Sequence, residues 1–502
     1  MSVTISIGLE RLRHRHTTKR KREHHVVERM YEKSMAEFGV EVRELLGVVL
    51  PPKKLLEISD KLREEYYERL EHSEISMLPS YLHTLPTGME KGDFLALDVG
   101  GSTFRLAIIR LTGKSNGEEP LQVRRVRSFV IDKSIRDLKG QAFFDWMAAG
   151  IGELLVEYGH LTGTADARLQ MGLAWSFPIE QTSPRTGRLL AMGKGFCATH
   201  GVEGQDLSEL IMRACRARNL NVEMMAIVND GSATLLSKAY RDTTTRMSLI
   251  LGTGTNAAVY LPTTALGKEK FGSRPPQWHD AADRVLVNTE VSMFGRRVLP
   301  RTRWDNELND HHVLPGFQPL EYMITGRYLG EIVRLILVEA VNAAGLFEGE
   351  LPEGLHEPYA LDTRILAAFE LDKTRTLSKA NATFLAAHPL PMPPRLSELE
   401  FIREIAMLVS RRAATYLAIA LHALWRLRTE AEGLEAGQSS HVTVACDGTI
   451  IEKYPAFRSN CQAKLDELCV LSGAVEGAVS LDMAPDSSIF GAAVAVACIQ
   501  DP

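Results

Sequence analysis

The sequence predicts an α/β protein made of two similarly built lobes that face a shared cleft. Two segments carry this prediction, because residues 94–110 and 247–261 each read as a strand, a glycine-rich turn and a returning strand. The two hairpins lie roughly 150 residues apart, a spacing typical of related halves of one chain. Strand-like and helical segments alternate between residues 105 and 240, which favours an α/β lobe. Clefts between lobes are where small ligands usually bind.

The turn of the first hairpin has the composition of a phosphate-binding loop. An apolar strand ends at Asp98 and leads into Gly-Gly-Ser-Thr at residues 100–103. Because glycine has no Cβ, the backbone amides of such a turn can approach an anion closely. A carboxylate beside the turn is suited to a hydrated cation that accompanies phosphate. An ordinary hairpin favours the same residues, so this segment alone leaves both interpretations open.

The second hairpin favours the phosphate interpretation. Its turn reads Gly-Thr-Gly-Thr-Asn at residues 252–256 and again lies between two apolar strands. If both turns face the cleft between the lobes, the pair favours a nucleotide-dependent enzyme over two ordinary hairpins.

The bulk composition is that of an ordinary globular protein. With 502 residues, 45% hydrophobic and 24% charged, the chain is long enough for two or more domains with full cores. A net charge of -5 gives no reason to expect nucleic acid across the whole surface. The six cysteines lack metal-ligand or Cys-x-x-Cys spacing, which favours a reduced, intracellular setting. No signal peptide is recognisable, and the apolar stretch 413–425 is too short to span a bilayer, so we expect a buried helix there.

The N-terminus differs in charge from the rest of the chain. Residues 11–25 form a basic run, which fits a solvated, disordered tail, a nuclear-import signal read by an importin, or a contact with another acidic partner. The expected localisation is cytoplasmic, and an import signal would add the nucleus. Residues 27–72 have the periodicity of one or two amphipathic helices.

Local patterns predict further elements. Apolar residues at helical spacing predict helices over 206–218, 320–344 and 401–428. Residues 268–283 are rich in proline, glycine and charge, which predicts a surface loop. Residues 378–396 carry four prolines and are expected to be irregular.

A carboxylate also follows the strand predicted to end at Val228. Ligands of α/β sheets gather at the carboxyl ends of strands. Asp230 at this position could accept a proton from a substrate hydroxyl, as phosphoryl transfer from ATP to that oxygen requires. A helix N-cap is the other explanation of this aspartate, and the two flanking phosphate-type turns favour the catalytic one.

Other polar segments are less specific. Ser176 interrupts a strand end between two aromatic residues, and Lys194 lies between two glycines. A lone lysine is more often a solvated side chain than a ligand. Residues 288–290 (Asn-Thr-Glu) and 318–321 (Gln-Pro-Leu-Glu) supply the amides and carboxylates that a polyhydroxylated substrate needs. Structural salt bridges of the two glutamates explain them equally well.

The order of these motifs resembles the hexokinase family from about residue 77 to the C-terminus. In sequence the motifs are the Asp98 hairpin, Trp175-Ser-Phe-Pro178, Lys194-Gly-Phe196, Asn229-Asp230, Gly252-Thr-Gly-Thr-Asn256, Asn288-Thr-Glu290, Glu321 and Asp447-Gly-Thr449. The resemblance implies an actin-like ATPase fold of two lobes whose cleft closes over a sugar, with ATP and Mg²⁺ as cofactors. It divides the chain into a basic tail at 1–25, N-terminal helices at 26–76, a small lobe at 77–240, a large lobe at 241–485 and a C-terminal helix at 486–502 that returns to the small lobe.

The resemblance also implies roles for named residues. Asp230 would be the base that deprotonates the sugar 6-hydroxyl, and Lys194 and Arg105 would neutralise phosphoryl charge. The implied sugar contacts are Ser176, Phe177, Lys194, Asn229, Asp230, Asn256, Glu290 and Glu321. The implied ATP contacts are Asp98, Gly100, Gly101, Ser102, Thr103, Gly252, Thr253, Gly254, Thr255, Asp447, Gly448, Thr449 and Ser487. No side chain is implied to hold the metal directly, because Mg²⁺ would arrive with ATP near Asp98 and Asp230.

Several positions depart from glucose-phosphorylating members of the family. The chain has Ser102 and Thr103 in place of Thr-Asn, Trp175 in place of an aromatic such as Phe, Gly193 in place of a threonine, and Asp-Ser-Ser-Ile at 486–489 in place of an Asp-Gly-Ser-Gly loop. Gly-Gly-Ser-Thr at 100–103, Trp-Ser-Phe-Pro at 175–178 and Asp-Ser-Ser-Ile at 486–489 together resemble the fungal N-acetylglucosamine kinases, a branch of the same family. On this interpretation, Gly193 removes a side chain near the sugar and gives room for a 2-acetamido group. The first expectation is therefore 6-phosphorylation of N-acetylglucosamine. A glucose or broad hexose kinase and a sugar-binding regulator without turnover are the alternatives.

Overall fold

A computed structural model describes residues 31–47, 50–113, 119–159, 168–193 and 195–500, so the basic run and Lys194 lie outside the described residues. The strands are β1 (Leu78–Pro79), β2 (Lys91–Val99), β3 (Thr103–Thr112), β4 (Leu121–Val130), β5 (Leu169–Trp175), β6 (Ile179–Gln181), β7 (Gly187–Leu189), β8 (Val222–Val228), β9 (Thr245–Leu251), β10 (Thr255–Pro262), β11 (Arg284–Asn288), β12 (Val442–Asp447) and β13 (Val479–Met483). The α-helices are α1 (Met35–Leu46), α2 (Pro52–His72), α3 (Lys133–Arg136), α4 (Gln141–Tyr158), α5 (Leu207–Ala217), α6 (Asp230–Ala239), α7 (Pro276–Ala281), α8 (Arg303–His311), α9 (Glu321–Ile324), α10 (Gly326–Ala344), α11 (Thr363–Leu371), α12 (Ser378–Ala387), α13 (Leu396–Ala431), α14 (Thr449–Lys453), α15 (Phe457–Leu471) and α16 (Ser487–Gln500).

The first large sheet has the strand order β4-β3-β2-β5-β8. β2 and β3 form an antiparallel hairpin, while β5 is parallel to β2 and β8 is parallel to β5. Residues 94–99 of β2 are all buried, because alternate side chains enter two different cores. Leu95 and Leu97 pack with α4 and α5, whereas Phe94 and Ala96 pack with α6 and α16. A strand covered on both faces requires such an unbroken apolar run.

The second large sheet has the strand order β1-β11-β10-β9-β12-β13. β9 and β10 form the second antiparallel hairpin, and β12 lies parallel to both β9 and β13. Its helical layer is built around α13, a helix of 36 residues, against which α1, α2 and α10 pack in one core. Both hairpins that the sequence predicts are therefore confirmed, one in each sheet.

Helices α6 and α16 lie back to back between the two sheets. α6 packs on β9 and β10, α16 packs on β2, β5 and β8, and the two helices contact each other. A Cβ added at Gly491 would lie 2.0 Å from the Ala233 carbonyl oxygen, and one at Gly172 would lie 2.1 Å from that of Ala492. Side chains are excluded at both glycines, so the backbones meet directly. Since α6 begins at Asp230 and α16 at Ser487, this pair of helices carries two predicted site residues.

Most helices predicted from local spacing are confirmed, and the apolar stretch 413–425 is buried within α13. Two loop predictions are wrong. Residues 268–283 contain a 3₁₀ turn at Lys268–Phe271 and helix α7, whose prolines stand at its start, where proline is favoured. Residues 378–396 begin with α12, and their prolines follow that helix. Within the described residues, no helix combines the length and apolarity that a membrane crossing requires.

Candidate active site

The turn of the first hairpin is held by charge. At its base, Arg105 Nε donates to Asp98 Oδ2 at 2.9 Å, and Arg105 Nη2 lies 2.7 Å from the same oxygen as an ion pair. Its Nη1 reaches Asp486, just before α16, at 2.9 Å. The turn itself is closed by the Gly100 amide, which donates to the Thr103 carbonyl at 3.0 Å. Arg105 thus ties a carboxylate of the first sheet to the start of the C-terminal helix.

The backbone of this turn has two further supports. The Ile131 amide donates to the Ser102 carbonyl at 2.8 Å. Arg136 donates to the Gly101 carbonyl at 3.1 Å. Arg136 was not predicted from the sequence, because nothing local marks a side chain that reaches a turn 35 residues earlier.

The turn of the second hairpin is held by a neighbouring segment. Glu321 accepts the Thr255 amide at 3.0 Å, and a Cβ added at Gly254 would lie 2.8 Å from the same carboxylate. The Gly326 amide donates to the Gly252 carbonyl at 2.8 Å. The buried Thr325 hydroxyl donates to the Thr253 carbonyl at 3.0 Å. Glu321, predicted as a sugar contact, is therefore also a support of this turn.

Asp230 is the first residue of α6, directly after the N-cap Asn229. The Gly231 amide lies 2.9 Å from Asn229 Oδ1 and 2.8 Å from Asp230 Oδ1. Ser248, on β9, donates from its buried hydroxyl to the Gly231 carbonyl at 2.7 Å. This bond fixes the start of α6 against the second hairpin. Ser248 is a positioning residue that the sequence did not indicate.

A chain of polar side chains runs from Asn229 into the large lobe. Asn256 Nδ2 lies 3.4 Å from Asn229 Oδ1 and donates to Asn288 Oδ1 at 2.9 Å. Asn288 in turn donates to Glu290 at 2.9 Å. Glu290 itself has left-handed backbone angles, with φ 51° and ψ 47°. The structure thus brings together three of the predicted sugar contacts, and Asn288 is the link between them.

Asp98 lies within electrostatic range of two further carboxylates, Asp230 and Asp447. Burial raises the pKa of Asp98, and Asp230 and Asp447 raise it further, while the Arg105 guanidinium opposes them. Mg²⁺ usually binds through one or two carboxylates together with substrate phosphates, and Asp98 with its neighbours fits that pattern. Among the described residues, no three metal-ligating side chains lie close enough to hold an ion by themselves.

Asp447 lies at the end of β12 and contacts the start of α16. It accepts a hydrogen bond from the Ser487 hydroxyl, and that hydroxyl lies 2.8 Å from Thr234 Oγ1 on α6. α16 begins at Ser487, one residue after the expected start of the C-terminal helix at 486. Gly448 has φ 113°, and a Cβ there would lie 2.4 Å from the Leu251 carbonyl oxygen. Only glycine fits between β12 and the second hairpin.

The Trp175-Ser176-Phe177 segment leaves the end of β5 beside the first turn. The Ser176 amide donates to the Val99 carbonyl at 3.3 Å. Phe177 packs between Trp175 and Phe196, with ring centroids 5.2 Å and 4.9 Å away. Two aromatic neighbours therefore fix the segment that carries Ser176.

Gly193 lies beside Lys194, whose predicted roles fall outside the described residues. Its φ is 66°, and a Cβ added there would meet no atom of the described residues within 4 Å, its two chain neighbours aside. A left-handed backbone favours glycine whatever space surrounds it. The glycine at this position therefore has a conformational reason as well as the steric one predicted from the sequence.

Comparison with known proteins agrees with this geometry. Family models described as hexokinase match residues 42–240 and residues 246–498. The chain belongs to the hexokinase family. It is 32% identical over 429 residues to chloroplastic Hexokinase-2 of Nicotiana tabacum, covering 85% of this chain and 82% of the relative. It is 29% identical over 457 residues to Hexokinase-2 of Oryza sativa subsp. japonica, covering 89% and 88%.

A solved structure gives the same result for the fold. The hexokinase of Schistosoma mansoni complexed with glucose superposes with a TM-score of 0.77 and 29% identity, covering 93% of this chain and all of that one. The two-lobed α/β sugar-kinase fold is thus confirmed, and the chain is a hexokinase-type, ATP-dependent hexose kinase. The relatives described here are named hexokinases, and none of their names refers to N-acetylglucosamine.

Proposed function

We propose that this hexokinase transfers the γ-phosphoryl group of ATP to the 6-hydroxyl of N-acetylglucosamine, with Asp230 as the general base. One observation carries the catalytic part of the proposal. Asp230 begins α6, whose first turn is bonded to the second hairpin through Ser248, and its carboxylate lies within electrostatic range of Asp98 beside the first turn. A carboxylate so placed can accept the proton of a hydroxyl that attacks a phosphoryl group held by the turns.

The polar chain from Asn229 to Glu290 would bind the sugar. Amide and carboxylate groups along it can pair with the hydroxyls of a hexose, each of which must be matched when it leaves water. Glu321 and Ser176 would complete the ring of contacts. Because Glu321 also accepts the Thr255 amide, the sugar contact and the second turn would be positioned by one side chain.

The two turns would hold the phosphates, with Asp447, Gly448, Thr449 and Ser487 on the adenosine side. Asp98 would accept the water shell of Mg²⁺, which when bound neutralises phosphate charge. Arg105 is already engaged by Asp98 and Asp486, so its first role would be to hold Asp98 in place rather than to approach the phosphoryl group itself. Positioning and electrostatics of this kind supply most of the rate in phosphoryl transfer.

The choice of N-acetylglucosamine rests on sequence. Gly-Gly-Ser-Thr at 100–103, Trp-Ser-Phe-Pro at 175–178 and Asp-Ser-Ser-Ile at 486–489 depart from the glucose-type pattern in the direction of the fungal N-acetylglucosamine kinases. The open space in front of Gly193 is compatible with a 2-acetamido group. A glucose or broad hexose kinase is the second candidate, and it is favoured by the names of the relatives and by the glucose in the Schistosoma mansoni structure.

A substrate panel separates these candidates. ADP release is measured with N-acetylglucosamine and with glucose on the full chain, and we expect kcat/KM to be higher for N-acetylglucosamine. A clear preference for glucose would refute the substrate assignment and leave the kinase assignment intact. Calorimetric sugar binding with no ADP release from either sugar would instead identify a regulator without turnover.

Replacement of the proposed base tests the mechanism. Asp230→Asn is expected to lower kcat by at least about 100-fold, the usual scale for loss of a general base. Sugar affinity measured by calorimetry should change much less, because the Asn229–Glu290 chain is untouched. Asp145→Asn, on the exposed surface of α4, is the matched control and should have wild-type kcat. An unchanged kcat in Asp230→Asn would refute the assignment of the base.

A further inference from the structure

A cavity lies between α2 and the segment that follows Glu290. It has a volume of about 610 Å³, and Glu65, Glu68 and Arg69 of α2 form one wall. Arg296 and Arg297 face them from the stretch that follows Glu290. This volume lies within the range of cavities that bind small organic ligands.

The charged residues that line this cavity are three exposed arginines and two glutamates, so positive charge is in excess by one. Within the described part of the chain, the guanidinium groups of Arg69, Arg296 and Arg297 form no direct ion pair. Glu65 is half-buried and is committed to the Gly295 amide, which donates to it at 3.0 Å. Burial raises the pKa of Glu65, while Arg69 and Arg297 oppose that shift, so both arginines lie within electrostatic range of the Glu65 carboxyl group. Glu68 is the remaining carboxylate, and it is exposed.

The other part of the lining is apolar. Ile75, Met293, Phe294 and Phe317 contribute to the walls, and Ile75 and Phe317 are 53% and 40% exposed. Arginine is suited to phosphate because its planar guanidinium donates two parallel hydrogen bonds to phosphate oxygens. Three such groups beside exposed apolar side chains match a ligand that combines a phosphate with a compact apolar body.

The cavity lies against the chain segment that follows Glu290, the proposed sugar contact. Phe294 is 3% exposed and packs edge-on against Tyr66 of α2, with ring centroids 4.7 Å apart. The Ser292 carbonyl accepts the Leu320 amide at 3.1 Å, next to Glu321. A ligand that contacts Met293, Phe294 and Arg297 would therefore press on the backbone that presents both Glu290 and Glu321.

We propose that this cavity binds a small phosphate ester with an apolar or aromatic body, and that its occupancy changes the affinity of the sugar site. Arg69, Arg296 and Arg297 hold the phosphate, and Phe317 and Ile75 cover the apolar part. The coupling half of this inference rests on the proposed function, because it requires Glu290 to contact the sugar. The binding half does not depend on turnover.

Calorimetry on the full chain with phenyl phosphate as the probe tests the binding half. We expect one saturable site, with inorganic phosphate binding more weakly because it lacks the ring. Arg69→Gln combined with Arg297→Gln should weaken phenyl phosphate at least about tenfold, the scale of one or two lost charge-assisted hydrogen bonds. Arg375→Gln, an exposed arginine that does not line the cavity, is the control and should bind as wild type.

Two outcomes would overturn the site: no saturable binding to the wild type, or equal binding to the double variant with an unchanged melting temperature. The single variant Arg296→Gln gives a second measurement if the double variant melts early.

For the coupling half, phenyl phosphate should shift the sugar KM of the wild type and leave that of the double variant unchanged. A constant KM at saturating phenyl phosphate would refute the coupling. Binding by a chain without kinase activity would refute the proposed function but not the site.

Discussion

The two glycine turns have the same local design and different supports. The turn at 100–103 follows Asp98, whose charge is balanced within its own hairpin by Arg105. The turn at 252–255 has no charge partner inside its hairpin among the contacts described above. It is held instead by a later segment of the chain that contains Glu321, Thr325 and Gly326. The bonds from Thr325 to Thr253 and from Gly326 to Gly252 each join residues more than seventy positions apart.

This difference assigns the two turns to different parts of the site. Arg105 joins the first turn to Asp486 and hence to α16, the helix proposed to lie on the adenosine side. Glu321 joins the second turn to the proposed sugar contacts. Damage to the support of the first turn should therefore act mainly on stability and on ATP, and damage to that of the second should act mainly on the sugar.

The largest effect is expected from Arg105→Gln. It leaves the buried Asp98 carboxylate without its partner, and loss of one member of a buried ion pair costs about 3 kcal/mol of unfolding free energy. The ATP KM should rise in the same variant. Arg110→Gln, which removes a more exposed pair with Asp93 on the same hairpin, is the control and should cost less than about 1 kcal/mol. Equal losses in denaturant unfolding would contradict a charge-supported first turn.

The effect of Arg105→Gln should also depend on pH. A raised pKa means that folded Asp98 binds its proton more tightly than the unfolded chain does, so ionisation of Asp98 lowers the free energy of unfolding as pH rises. Arg105 offsets this loss in the wild type and cannot do so in the variant. The difference in unfolding free energy between the two proteins should therefore grow with rising pH and shrink in acid. A difference that is constant across this range would mean that Asp98 is not the affected group.

A matched pair of glycine substitutions compares the two turns directly. Gly254→Ala places a Cβ 2.8 Å from Glu321 Oε2, whereas the nearest atom to a Cβ at Gly100 is the Thr103 carbonyl oxygen at 3.6 Å. Gly254→Ala should displace Glu321 and raise the sugar KM by about tenfold, equivalent to about 1.4 kcal/mol. Gly100→Ala should leave the sugar KM within about twofold of wild type. Similar sugar KM values in steady-state kinetics would show that Glu321 does not link the second turn to the sugar.

The smallest effect is expected from Thr325→Val. The substitution keeps the shape of a fully buried side chain and removes its hydrogen bond to the Thr253 carbonyl. We expect a loss of about 1 kcal/mol in unfolding free energy and a modest rise in the sugar KM. Thr383→Val on the exposed face of α12 removes a hydroxyl that bonds only within its own helix, and it should be neutral. A neutral Thr325→Val would mean that the second turn does not need this support.

The parts of the site that are local in sequence could be predicted. Asp98 and the two hairpins follow from strand-turn-strand patterns a dozen residues long, and Asp230 follows from a strand that ends at a carboxylate. The roles of these residues in binding and catalysis remain predictions. The C-terminal helix was expected from residue 486, and α16 begins one residue later, at Ser487.

The supports could not be predicted, because they join distant segments. Arg105 and Asp486 are 381 residues apart, and Thr255 and Glu321 are 66 apart. Such pairs are set by how the two sheets pack around α6 and α16, and no single-sequence pattern encodes that packing. Ser248 is a further example, since a buried serine in an apolar strand gives no sign of the carbonyl that it will meet.

The direct backbone contact at Gly491 joins α6 and α16 into one unit. Asp230, the proposed base, begins one helix, and Ser487, proposed to lie on the nucleotide side, begins the other. A Cβ added at Gly491 would lie only 2.0 Å from the Ala233 carbonyl oxygen, so the two helices have no room for a side chain between them. Any rearrangement that keeps this contact would keep the separation of Asp230 and Ser487. A ligand or substitution that changes how the cleft closes would therefore leave the distance between the proposed base and the nucleotide side unchanged.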